Sequence, residues 1–143
     1  MAIPATLLEI REYNGIGYAP LVDYGAWRVA ILRPIDELLP HRLGKMQRHD
    51  ETDEVFVLLA GRCILFIGEG AEDVTQIHAQ DMEPKKLYNV KRGCWHTHTL
   101  SEDATVLIVE NQDTTSANSP EIPLGVIQRG RLIELTRQLW KEI

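Results

Sequence analysis

A chain of 143 residues, 44% hydrophobic and 25% charged, suits one globular domain with a buried core. The formal charge of -6 provides no basic face, so nucleic acid and acidic membrane surfaces are not expected partners. No stretch approaches the roughly 20 apolar residues of a membrane helix, and residues 1–10 lack the basic start and apolar run of a signal peptide.

Up to about Asn111, short β-type runs alternate with turn residues. Residues 7–10 are read as a first strand. Residues 13–25, rich in Gly and Tyr, read as a loop or irregular edge. Residues 26–32 form a strand that stops before Pro34, and residues 35–39 a helical turn. Residues 54–59 and 62–67 flank Ala60-Gly61, which predicts a hairpin. A turn at Gly68-Glu69-Gly70 leads to a strand over 74–80. Turn 83–86 precedes strand 87–90, and two more strands cover 95–100 and 105–110.

The character then changes. Residues 112–123 hold Asp, Thr, Ser, Asn and Pro, and read as an exposed loop. The tail is helical over about 126–142. Leu132, Leu135, Leu139 and Ile143 form its stripe, with Trp140 on the flank. Gly130 costs about 1 kcal/mol in a helix, which puts the firm part after Arg131. Covering an open end of a barrel is the expected role. Many short strands without alternating helices predict an all-β sandwich or barrel.

Two stretches carry chemistry. In the first, Gln47 and His49 share one face of a strand, because alternate side chains point the same way. A solvated turn containing Asp50, Glu51 and Asp53 follows, and Glu54 opens the returning strand with Phe56 and Leu58 on its face. An imidazole and a carboxylate in an apolar wall are costly to bury without a partner, and a metal ion would supply one. In the second, Gly93 permits a bend, after which His96 and His98 face one way and Trp95 and Thr97 the other. Cys94 has interior parity if the strand starts there. It is a candidate pocket thiol or a small buried hydrophobe. His41 and His78 are expected in solvent. Trp27 and Trp95 are expected in packing.

These stretches resemble the two motifs of the cupin superfamily. The second His of the first motif falls on His49, its Glu on Glu54 and its Gly on Gly61, while Gly93 and His96 match the second motif. The resemblance spans about residues 26–111. It implies a single-domain (monocupin, RmlC-like) protein over residues 1–143: a double-stranded β-helix, or jelly-roll barrel, with a C-terminal α-helix. The departures lie at His41, Gln47, Lys91 and Leu100, where the motifs carry Gly, His, Pro and Asn.

Gln47 replaces a usual ligand, which leaves His49, Glu54 and His96 as metal ligands. That set suits a divalent ion such as Zn, Mn, Fe or Ni, with open positions for water or substrate. His98 is a candidate for the missing imidazole, and Gln47 for orienting a metal-bound water. Phe56 and Cys94 join them as candidate pocket residues. The resemblance implies a metal-dependent enzyme (lyase, hydrolase, isomerase or dioxygenase) acting on a small polar or anionic metabolite. A non-catalytic small-molecule binder and a structural protein with an idle pocket stand beside it, because fold does not choose among functions. It also implies a homodimer, with Val55, Val57 and Leu59 packing on an N-terminal strand or a partner. The two cysteines, Cys63 and Cys94, are too few for a disulfide framework and read as reduced thiols of a cytoplasmic protein.

Overall fold

The computed structural model describes residues 2–141. Ten strands run in chain order: β1 (Tyr18–Tyr24), β2 (Trp27–Leu32), β3 (Lys45–Gln47), β4 (Glu54–Ala60), β5 (Cys63–Glu69), β6 (Gln76–Asp81), β7 (Tyr88–Val90), β8 (Trp95–Leu100), β9 (Thr105–Asn111) and β10 (Glu121–Pro123). One helix, α1 (Val126–Trp140), follows. The strands form two five-stranded sheets with orders β1-β2-β9-β4-β7 and β10-β3-β8-β5-β6. Every pairing between named strands is antiparallel.

Strand alternation builds the core. Cys63 and Leu65 of β5 face Phe56 and Leu58 of β4, Val106 and Ile108 of β9, and Leu32 of β2, all buried between the sheets. The opposite face of β5, Ile64 and Phe66, meets Met46, Trp95 and α1.

Several sequence expectations change. Residues 7–10 form no strand, and Leu7, Leu8 and Ile10 are exposed. Residues 13–25 contain an edge strand, β1, whose register slips between Pro20 and Val22. The predicted hairpin across Ala60-Gly61 does not exist. β4 pairs with β7 and β9, and β5 with β6 and β8, so this turn carries the chain from one sheet to the other. Only glycine suits the corner: φ at Gly61 is +70°, and a Cβ there would lie 2.6 Å from the Ala104 backbone. Gly68 lies inside β5 rather than in a turn. Its missing side chain admits Met46, Val74 and Trp95.

The helix starts at Val126, before Gly130, where a Cβ would meet nothing. The Gly125 N–H donates to Gln128 Oε1 at 2.8 Å and caps the first turn. Its buried stripe is Leu132, Thr136 and Trp140, and Leu139 is exposed. The expected stripe residue Ile143 and the predicted helix end at 142 lie outside the described residues. α1 covers the outer face of the second sheet, not a barrel end. The outer face of the first sheet is apolar. Rows Val22–Val29–Val109–Val55 and Ala19–Ile31–Leu107–Val57 cross its strands, all half-buried.

Candidate functional site

Register brings the site together. Gln47 of β3 pairs with His96 of β8. The main chain closes the gap between the two stretches, since Gly93 N–H donates to the His49 carbonyl at 2.7 Å. In the other sheet, Val55 pairs with Val109 and Arg28 with Glu110. One rung further along, Glu54 stands beside Glu110. β10 continues past β3 through Arg48 N–H to Pro120 O (3.1 Å) and Asp50 N–H to Asn118 O (2.8 Å), which sets Ser119 across from His49.

His49, Glu54 and His96 are all buried, and one ligand atom from each lies within 4.8 Å of the others. His49 Nε2 is 3.1 Å and His96 Nε2 2.9 Å from the same oxygen, Glu54 Oε1. The imidazoles stand 5.4 Å apart, centre to centre. The three residues lie on the wall of a cavity of about 420 Å³, together with Gln47, His98, Glu110, Tyr18, Arg28 and Thr114.

The remaining hydrogen bonds fix the protons. His96 Nδ1 is 3.0 Å from the Cys94 carbonyl, which only accepts, so Nδ1 carries hydrogen. His49 Nδ1 is 2.7 Å from Ser119 Oγ. That hydroxyl donates to Asn118 Oδ1 at 3.1 Å, and Oδ1 also accepts from the Thr115 N–H at 2.9 Å. The Asn118 amide nitrogen donates to Glu51 and to the Asp113 carbonyl. Ser119 therefore accepts from His49, and Nδ1 carries hydrogen there too. Both Nε2 atoms aim lone pairs at a carboxylate oxygen. Three acceptors facing one another require an added proton or a cation between them.

The ionisation follows. Burial alone lowers the pKa of His49, but the Glu54 hydrogen bond and charge, with Glu110 and Asp50 behind, raise it above its usual value. Burial alone raises that of Glu54, and the two imidazoles hold it well below the usual range. Burial and then the Glu54 charge push Glu110 up to about 7. Burial and the neighbouring His96 push His98 down to about 4, so its ring is neutral.

The other expected residues divide. Gln47 lines the cavity but turns its amide nitrogen to the Ser119 carbonyl at 3.4 Å. His98 lines it too, outside the three-residue cluster, with a buried Nδ1 that has no hydrogen-bond partner. Phe56 lies behind the imidazoles, its ring 6.1 Å from His96 and 5.6 Å from His98, and supports them without lining the cavity. Cys94 does not line it either. It sits before β8 begins, half-buried, beside Leu65, Ile67 and Tyr88 in a separate small cleft. Trp95 packs on the outer side under the Arg48 guanidinium, and Trp27 sits near Tyr24. His41 and His78 are exposed, as expected.

Tyr18, Glu110 and Ser119 are additions. Tyr18 Oη donates to Glu110 Oε2 at 2.8 Å. Glu110 had a readable signal, since it follows Val106 and Ile108 at inward parity. Ser119 and Tyr18 lie in segments read as loop and had none.

No family model matches the sequence, and no curated protein matches it. Solved structures do match. A single-residue variant of Streptomyces PAC13 with uridine is 7% identical, with a TM-score of 0.56 over 78% of this chain and 83% of that one. Pac13 is described as a nucleoside dehydratase built on a β-barrel. CapF, a capsular polysaccharide assembling protein from Staphylococcus aureus, is 17% identical, with a TM-score of 0.54. The match covers 87% of this chain and about a third (34%) of CapF. At such identities the likeness concerns fold alone. The fold is an all-β jelly-roll barrel with a C-terminal helix. In this barrel Glu54 and His96 project inward from strands of the two sheets, and His49 from the segment just after β3.

Proposed function

We propose that this chain is a cupin, holds a divalent metal ion on His49 Nε2, His96 Nε2 and Glu54, and acts as a metal-dependent enzyme on a small polar or anionic metabolite. The observation that supports it is the proton assignment above. Both Nδ1 atoms are committed as donors, so two nitrogen lone pairs and a carboxylate oxygen converge with no hydrogen of their own between them. A borderline-soft divalent ion satisfies that set. The ion would supply Lewis acidity toward a carbonyl or an acidified water. The chain's residues do the rest. Ser119 and the Cys94 carbonyl orient the imidazoles. Gln47, Thr114 and His98 offer polar groups to the ligand, and Leu32, Ile35, Leu38 and Ile108 provide the apolar wall.

The substitution of an amide at Gln47 favours a second reading, a pocket that binds its ligand without turnover. Metal content of the untagged protein separates the two. One ion per chain, lost in His96→Ala, supports the first; equal metal in both proteins sinks it.

We further propose one domain over the chain, reduced cysteines in a cytoplasmic protein, and a homodimer formed through the apolar outer face of the first sheet. No helix among the described residues is long and apolar enough to cross a membrane. Sedimentation of Val57→Asp and Val109→Asp variants tests the dimer. An unchanged mass would remove it.

A further inference from the structure

Glu110 is a buried carboxylate that the three-residue site leaves unused. It is 6% exposed. One oxygen, Oε2, accepts from Tyr18 at 2.8 Å, and the other, Oε1, lies 3.8 Å from His49 Nε2. A second anion at this depth is costly unless a cation balances it. Glu54 and Glu110 are the next residues outward from the paired Val55 and Val109 on neighbouring strands. Tyr18 holds the outer oxygen, and the inner one lies on the His49 side of the cluster, 3.8 Å from His49 Nε2.

We infer that Glu110 is the fourth protein ligand of this centre, so that two imidazoles and two carboxylates hold the ion and the filled site carries no net charge. The inference rests on the proposed metal site. Ligand atoms about 2.1 Å from one ion stand about 3.0 Å apart at a right angle and about 3.4 Å at the tetrahedral angle. The observed 2.9 and 3.1 Å match the first, and 3.8 Å is the spacing of a more open pair. Glu110, like His98, lies outside the three-residue cluster, but one of its oxygens is 3.8 Å from His49 Nε2, whereas the Gln47 amide is turned toward Ser119.

The assignment narrows the substrate. With three ligands and one carboxylate, a divalent ion leaves a net positive centre that favours an anion. With Glu110 bound that attraction is gone. Among the described cavity-lining residues, the one arginine or lysine is Arg28, and its guanidinium makes hydrogen bonds of 2.8 and 3.0 Å to the two oxygens of Asp23. No uncommitted lysine or arginine among them faces the cavity. The ligand is therefore an uncharged polar molecule bearing hydroxyl or carbonyl groups.

The test is Zn²⁺ binding, by competition with a chelator, to the wild type, His96→Ala, Glu110→Gln and Glu110→Asp. It is combined with Co²⁺ absorption spectra and with oxalate binding to the Zn²⁺-loaded proteins. Glu110→Gln should weaken Zn²⁺ by more than about a hundredfold, beyond the loss expected for an outer hydrogen-bond partner. It should also shift the Co²⁺ bands and make the loaded protein bind oxalate more tightly than the wild type does. Glu110→Asp should fall between. Should Glu110→Gln not fold, as judged by circular dichroism, Glu110→Asp carries the test through its shifted Co²⁺ bands. If the wild type binds Zn²⁺, His96→Ala does not, and the Glu110 variants keep wild-type affinity and Co²⁺ bands, this inference fails and the three-residue site stands. If the wild type binds no Zn²⁺, the site itself fails and the inference with it.

Discussion

Replacing Ser119 with alanine removes a single oxygen that is 2.7 Å from His49 Nδ1. Ser119 is 3% exposed, so the contact is lost away from bulk solvent. Asn118 Oδ1 keeps the Thr115 N–H, so only the imidazole loses its partner. An unsatisfied buried donor costs about 1–3 kcal/mol. For a chain of this length that lowers the melting midpoint by about 3–10 °C. The freed ring can also place its hydrogen on Nε2, which takes one lone pair from the site. Zn²⁺ affinity should fall about ten- to a hundredfold. Urea denaturation of the metal-free protein measures the first effect and chelator competition the second. A Ser119→Ala variant that loses stability yet binds Zn²⁺ as the wild type does would refute the argument that Ser119 sets the His49 tautomer.

Three further outcomes follow from the structure. Gly61→Ala should cost about 1–2 kcal/mol for its left-handed backbone, and more for the contact with Ala104. Gly25→Ala has φ +57° with open space around it and should show the backbone cost alone in denaturation curves. At pH 8 a disulfide reagent should modify Cys94 and leave Cys63 intact until the protein unfolds. Cys63 is fully buried and its thiol is pushed up to about 12, whereas Cys94 is half-buried and less raised. The third outcome concerns pH in the metal-free protein. The raised His49 and Glu110 bind protons more tightly in the folded than in the unfolded state, so their contribution is lost as pH rises from about 5 to about 8. The depressed Glu54 and His98 act oppositely: the Glu54 contribution is lost as pH falls below about 4.5, and that of His98 as pH falls below about 6.5. The melting midpoint with a chelator present should peak near pH 6–6.5 and drop by pH 8, and Zn²⁺ should abolish the drop. A midpoint that climbs steadily to pH 8 would contradict the proton assignment.

What the sequence disclosed follows from range of interaction. β8 was legible residue for residue, because Trp95 to Leu100 alternates strictly between two buried faces. The convergence of His49, Glu54 and His96 was legible because alternation and motif spacing both pointed inward. The Ala60-Gly61 turn misled, since a tight glycine turn between apolar runs looks alike whether it closes a hairpin or passes between sheets. Only the pairing of β4 with β9 distinguishes them, and that pairing is remote in sequence. Ser119 was hidden for the same reason. Its segment is polar and reads as loop, but hydrogen bonds to residues 48 and 50 press it against the site. The helix stripe moved from Leu139 to Thr136 because Thr136 returns its hydroxyl to the Leu132 carbonyl at 2.8 Å and can be buried without an unpaired group.

Diffraction at the zinc absorption edge, from crystals grown with Zn²⁺, addresses the central proposal most directly. One strong anomalous peak per chain should lie within bonding distance of His49 Nε2, His96 Nε2 and a Glu54 oxygen. A map with no peak there, or with density only at exposed groups such as His78 beside Glu69, would contradict it.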